Sequence, residues 1–171
     1  MPVIFIRHSD DSDDRTLNKH DTHITKKGID AAAKLAKSLI KEHGHPVRVY
    51  CGPFRRTLET LESMKKSFAQ PVEVVIDPRL SRYFTSKEKK SPLVSQQTIN
   101  LKPPIMESWK NFQYRIKKHV RELKRKNLFN SRNITFVITH CLVLKEVAKI
   151  FGVKLPERFD FLEHFTIEKS T

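Results

Sequence analysis

The sequence predicts an α/β fold: a three-layer α/β/α sandwich whose mostly parallel sheet carries helices on both faces. Three observations predict it. Short runs rich in β-branched and apolar residues alternate along the chain with longer runs whose apolar residues recur at helical spacing, the pattern of a parallel sheet with crossover helices. Two of the short runs, Val3-Ile4-Phe5-Ile6 and Ile134-Thr135-Phe136-Val137-Ile138-Thr139, have the length and continuous apolar character of strands buried on both faces. Each of these two runs is closed by a histidine, the first as Arg7-His8 and the second as His140. The C-terminal ends of parallel strands gather along one edge of a sheet, where a ligand crevice forms. Two imidazoles and a guanidinium are therefore expected to share a cationic pocket.

The first strand, 3–7, leads into a loop crowded with Asp10, Asp11, Asp13 and Asp14, then a helix over about 26–42. Val47-Arg48-Val49-Tyr50-Cys51 reads as the second strand, broken by Gly52-Pro53. Leu58, Leu61, Met64 and Phe68 recur at helical spacing and predict a helix over about 55–69, with Arg55 and Arg56 on its first turn. The free N–H groups of a helix start favour an anion, and an arginine there opposes the macrodipole unless it faces a negative ligand. A third strand is expected at 72–77. The irregular stretch 78–105, with Pro92, Pro103 and Pro104, is expected to form a lid over the site. A helix over about 106–126 places Trp109, Phe112, Ile116, Val120 and Leu123 on one face. Strand 134–139, helix 142–151 and a strand near 161–168 complete the order.

Residues 1–171 are expected to form one domain, long enough for a full core, and 38% hydrophobic with 30% charged residues is the balance of a soluble globular protein. Only the four-residue apolar run Val3–Ile6 leads up to Arg7, so no signal peptide is expected, and no run approaches the ~18 residues of a membrane span. Cys51 and Cys141 each stand beside a proposed site segment. Two such cysteines fit a reducing compartment better than a disulfide framework, so the cytoplasm is expected, with the nucleus as the alternative. The net charge of +14 is uneven: residues 82–126 hold thirteen Lys/Arg against three Asp/Glu. This basic stretch would draw in an anionic substrate or touch a polyanion, though no nucleic-acid-binding motif accompanies it.

Five segments, taken together, resemble the histidine phosphatase superfamily, the phosphoglycerate-mutase-like proteins. Arg7-His8-Ser9 resembles the family's Arg-His-Gly signature, and Asp21-Thr22-His23-Ile24-Thr25-Lys26-Lys27-Gly28 resembles its Asp-x-x-Leu-Thr-x-x-Gly. Cys51-Gly52-Pro53-Phe54-Arg55-Arg56-Thr57-Leu58-Glu59-Thr60 is similar to Ser-Ser-Pro-x-x-Arg-Thr-x-x-Thr, with Arg56 at the motif arginine. Glu107-Ser108, with Phe112 and Arg115 downstream, is similar to a Gly-Glu-Ser segment followed by Phe-x-x-Arg, and Thr139-His140-Cys141 resembles Ser-His-Gly. The segments run in family order from residue 3 to about 150.

The resemblance implies a phosphoglycerate-mutase-like fold and phosphoryl transfer through a phosphohistidine on His8. Such transfer is mostly positioning plus stabilisation of charge on three equatorial oxygens. Arg7 and Arg56 can hold those oxygens with guanidinium forks, and His140 adds a further donor, expected as an imidazolium. Ser9 and Cys141, beside the two histidines, complete the expected substrate-binding set. His8 must be neutral to attack, and the arginines disfavour its protonation. No cofactor and no metal is expected, since these residues supply the positive charge. His20 and His23 are three apart but lack a third partner.

The departures bear on the chemistry. Ser9 and Cys141 replace glycines, which enter left-handed turns more freely. Many relatives carry a glutamate as general acid in a Leu-x-Glu pattern after the third strand, whereas Leu80-Ser81-Arg82 puts an arginine there. Loss of such an acid costs an alkoxide leaving group about 10²–10⁴ in rate. Asp10, Asp11 and Glu107 are the candidate substitutes. The expected activity is that of a phosphoric monoester hydrolase, or of an enzyme for phosphoramidates or anhydrides, acting on a phosphorylated small molecule or phosphoprotein. The alternatives are a phosphate- or polyanion-binding protein that has lost efficient catalysis, for which Arg82 and Cys141 argue, and a phosphoglycerate-type mutase, which the short lid and the missing acid disfavour.

Overall fold

Every side chain of Val3–Ile6 and of Ile134–Thr139 is buried, as continuous apolar runs require when a strand is covered on both faces. The structure, a computed structural model, describes residues 2–11, 22–84, 107–130 and 132–168. Its strands are β1 (Val3–Arg7), β2 (Pro46–Cys51), β3 (Glu73–Ile76), β4 (Ile134–Thr139) and β5 (His164–Ile167). The helices are α1 (Lys26–His43), α2 (Arg55–Lys65), α3 (Trp109–Arg125) and α4 (Cys141–Phe151). The sheet order is β3-β2-β4-β1-β5, parallel except for β5, which runs antiparallel to β1.

Alternation along the strands divides the core into two layers, because successive side chains point to opposite faces. Val3, Phe5 and Val137 pack with Phe112, Ile116, Leu144 and Val147 of α3 and α4. Ile4, Ile6, Phe136 and Ile138 pack with Ala32, Ala36, Leu39, Leu61 and Met64 of α1 and α2. The result is the three-layer sandwich with helices on both faces. No helix of the described residues is long and apolar enough to cross a membrane.

Local chemistry sets the helix ends. Thr25 Oγ1 accepts from the Gly28 amide at 2.9 Å to cap α1, and Ser108 Oγ accepts from the Asn111 amide at 3.1 Å to cap α3. Gly152, at φ +69°, ends α4 in the left-handed conformation. Gly28 is needed for close approach: a Cβ there would lie 2.6 Å from the Asp10 carbonyl oxygen, beneath the loop that follows His8.

Several elements differ from expectation, and β5 covers only His164–Ile167 of the strand expected near 161–168. Helix α2 stops at Lys65 rather than near 69, yet Phe68 still packs against the core from the turn that follows, so its helical spacing is satisfied without a helix. Helix α3 begins at Trp109 because Ser108 caps it. Trp109 does not join the buried stripe; it lies exposed against Tyr83 and Phe112, each at a ring separation of 5.0 Å. Within the expected irregular stretch, Pro78–Leu80 forms a 3₁₀ turn capped by Asp77, whose Oδ1 accepts from the Arg79 amide at 2.9 Å. The rest of the proposed lid, 85–105, lies outside the described residues, as do Asp13, Asp14 and His20.

Candidate active site

Parallel pairing of β1 with β4 sets Arg7 opposite Thr139, and the His8 amide donates to the Thr139 carbonyl at 2.9 Å. The two strands therefore deliver His8 and His140 side by side, with ring centroids 5.1 Å apart. On the other flank of β4, the Gly52 amide donates to the Ile138 carbonyl at 3.0 Å before the chain turns into α2. Arg56, on the first turn of α2, reaches into the same space. Arg7, His8, Arg56 and His140 all line one cavity of about 220 Å³. Asp11, Arg82 and Tyr83 complete its walls, with Cys141 and Leu142 from the first turn of α4.

The His8 ring is buried, and its Nδ1 lies 2.8 Å from the Ser9 carbonyl oxygen. A carbonyl can only accept, so Nδ1 carries the proton and Nε2 holds a free lone pair. Burial, and after it the Arg56 guanidinium, holds His8 well below the usual imidazole range, so the ring is neutral at pH 7. The same two causes, in the same order, depress His140. In the free protein, burial and then the neighbouring cations hold His140 neutral; the expected imidazolium belongs to the state with anionic oxygens beside it.

Arg7 is held from two sides. Its Nη1 donates to the Phe159 carbonyl, and its Cζ sits 4.1 Å from the centre of the Phe161 ring. Arg56 donates from Nη1 to Asp11 Oδ2 at 3.1 Å and to Thr22 Oγ1 at 3.0 Å, while Thr22 Oγ1 donates to Asp11 Oδ2 at 2.8 Å. Burial lowers Arg56 to about 10, which still leaves it charged at neutral pH. Arg7 Nε, Arg56 Nε and His140 Nε2 are buried without a hydrogen-bond partner in the protein. The cavity that these three side chains share is lined by fixed positive charge, which suits an oxyanion.

Other expected site residues lie elsewhere. Ser9 is fully buried and turned from the cavity: its amide donates to Thr60 Oγ1 at 2.9 Å and its Oγ to the Gly28 carbonyl at 2.7 Å. Its expected role in substrate binding is replaced by bracing of the loop that carries His8. Asp10 is likewise spent on the start of α1, its side chain accepting from Thr25 Oγ1 at 3.2 Å. Neither Ser9 nor Cys141 has a positive φ; among the described non-glycine residues only Asn127 and Leu162 do. Replacing the family glycines at 9 and 141 therefore costs no backbone strain.

Glu107 does not line the cavity. It is buried in an ion pair with Arg115, whose Nε donates to Oε2 at 3.0 Å. Arg115 Nη1 in turn donates to the carbonyls of Ser81, at 3.0 Å, and of Arg79. The pair thus clamps the turn that presents Arg82 and Tyr83 to the cavity. Glu107→Ala would leave that guanidinium buried without its counter-ion and is expected to destabilise the fold by about 3 kcal/mol. Urea unfolding measures this, and a loss under about 1 kcal/mol, as for an exposed pair, would refute the clamp.

Sequence reasoning missed the pairing of Asp11 with Arg56 and the contacts of Phe159 and Phe161 with Arg7. Thr22 offered a signal, standing in one of the five segments, but nothing local marks the two phenylalanines.

A family model described as the histidine phosphatase superfamily (branch 1) matches residues 3–166. No curated protein sequence matches the chain. Among solved structures, Bacillus stearothermophilus YhfR is 19% identical with a TM-score of 0.72, the match covering 99% of this chain and 91% of that one. The protein histidine phosphatase SixA, solved with tungstate, is 20% identical with a TM-score of 0.66 and coverage of 97% and 86%. Phosphoglycerate mutase from Bacillus anthracis is 18% identical with a TM-score of 0.66 and coverage of 98% and 88%. Likeness at such identities shows a shared fold, and that fold carries both a phosphatase and a mutase, so the reaction has to be argued from the cavity.

Proposed function

The chain belongs to the histidine phosphatase superfamily, and from that premise we propose that it is a metal-independent phosphatase working through a phosphohistidine on His8. The observation that carries this reading is the bare Nε2 of a neutral, buried His8 set among Arg7, Arg56 and His140. In the first step Nε2 attacks phosphorus, an N–P bond forms, and the P–O bond to the leaving group breaks with its electron pair going to the leaving oxygen. Water then attacks phosphorus, the N–P pair returns to Nε2, and orthophosphate departs. Arg7 and Arg56 hold the equatorial oxygens throughout. His140, held neutral in the free protein by burial and then by the Arg56 guanidinium, donates to one of them, the anion's charge favouring its protonation.

The leaving oxygen is the unusual part. Among the described residues, Asp11 is the carboxylate on the cavity wall, and it is committed to Arg56 and Thr22. Arg82 lies on the same wall, where an acid was expected. The enzyme therefore favours leaving groups that need little protonation, such as phenolates, phosphate or imidazole. In this reading residues 1–171 are one catalytic domain, and the free Cys51 and Cys141 suit a reducing cytoplasm.

Hydrolysis of a series of aryl and alkyl phosphates in the presence of a metal chelator tests the proposal. Turnover should persist and fall steeply as leaving-group pKa rises. Arg82→Glu should then help alkyl esters more than aryl ones. A flat dependence would instead make Asp11 the acid, and Asp11→Asn would be the variant to compare. Silence on every ester with orthophosphate still bound would favour the binding-protein reading.

A further inference from the structure

The cavity is lined by Arg7, Arg56 and Arg82, and among the described residues apolar and aromatic side chains stand beside them. Six large apolar side chains of the described residues are exposed; of these Leu142 lines the cavity, while Phe161 and Trp109 each pack on a residue of its wall, Arg7 and Tyr83. Leu142, 37% exposed, lines it directly. Phe161, 36% exposed, lays its ring against the Arg7 guanidinium and 5.6 Å from the His8 ring. Trp109, 41% exposed, packs edge-on against Tyr83, which is itself part of the cavity wall. Single exposed apolar residues are ordinary, whereas their gathering at one polar pocket marks a binding surface.

The backbone that carries Phe161 is held in place. Leu162 sits at φ +60°, a conformation disfavoured for a leucine, and its neighbour Glu163 accepts at its carbonyl from the Arg7 amide at 3.0 Å. The strand end that supplies His8 thus also fixes the ring above it.

We propose that this apolar collar binds the organic part of the substrate, and that the substrate is an aryl phosphate, a phosphoryl group carried on an aromatic ring. The inference rests on the phosphatase reading and adds to it the class of body the phosphate is attached to. A flat ring in the cavity would meet Tyr83 and Leu142 on its wall, and aromatic pairs favour the offset or edge-on geometry such a contact allows. A sugar or glycerol body would bring hydroxyls that need hydrogen-bond partners, and Leu142, Phe161 and Trp109 supply apolar surface instead. The chemistry at the leaving oxygen agrees, since a phenolate departs without an acid. Small phenolic esters and the phosphotyrosyl side chain of a peptide share this chemistry.

Phosphonates test recognition apart from chemistry, because their P–C bond is not hydrolysed. Calorimetry should show phenylphosphonate binding at least about tenfold more tightly than methylphosphonate, a difference of ~1.4 kcal/mol. That ratio should shrink towards one in Leu142→Ala and in Phe161→Ala; Phe161→Leu, which keeps the bulk but not the ring, serves if the alanine variant does not fold. Equal affinity for the two phosphonates in the native protein would overturn the collar while leaving the phosphate site standing. Failure of both phosphonates and of orthophosphate to bind would overturn the phosphatase reading itself. Relative kcat/KM for phenyl phosphate and a phosphotyrosyl peptide assigns the source. A glycerol phosphate hydrolysed as well as either would overturn the proposal.

Discussion

His8→Ala is expected to lower kcat on every phosphomonoester by at least about 10⁴-fold while leaving orthophosphate binding largely intact. The variant removes the nitrogen proposed to attack but none of the guanidiniums proposed to hold the phosphoryl oxygens. The pH dependence carries the same signature. Burial and the Arg56 guanidinium hold His8 well below 6.5, and only the neutral ring attacks. Activity should therefore stay level through pH 6.5 and fall only as the medium becomes more acidic, when Nε2 takes up a proton. Steady-state kcat/KM against pH measures this. An acid limb at or above pH 6.5 would contradict the buried, cation-flanked histidine.

The second large effect belongs to Arg56. Arg56→Ala is expected to cost about 10³-fold in kcat/KM, the scale seen when one preorganised donor to a developing oxyanion is removed. It also strips Asp11 of its cation at 3.1 Å and leaves a carboxylate on the cavity wall to repel the incoming phosphate. Loss of that guanidinium should move the acid limb of His8 upward, because Arg56 is the second cause of its depression after burial. Arg56→Lys should recover charge but not the fork, and hence only part of the rate. A loss smaller than about tenfold in Arg56→Ala would show that the side chain does not meet the transferred group.

Much of this was legible in the chain because the two central strands announce themselves. Strands β1 and β4 are buried along nearly their whole length, with only the β-branched Thr135 and Thr139 breaking the apolar run of β4, and parallel pairing then forces His8 and His140 together. The arginines followed from Gly52-Pro53, which sets the start of α2. What escaped notice depends on contacts between distant segments. Phe161 meets Arg7 only because β5 turns back antiparallel on β1 and carries residues 159–163 across the strand end. Glu107 looked like a candidate acid because its partner Arg115 stands two helical turns away, and only the helix geometry of α3 turns that arginine back to meet it. Ser9 looked like a ligand because it follows the nucleophile, but the loop packs it inward against Gly28 and Thr60. Phe68 kept the helical period past the end of α2, and apolar spacing alone does not distinguish a last turn of helix from a turn that packs.

If His8 carries the phosphoryl group during turnover, rapid-quench trapping captures it there. With a radiolabelled aryl phosphate, the account predicts a phosphoryl group on the protein that is stable in base, lost in acid, and confined to the peptide containing His8. Its appearance on the His8→Ala protein, or turnover by the native protein with no acid-labile label at any time point, would contradict the account.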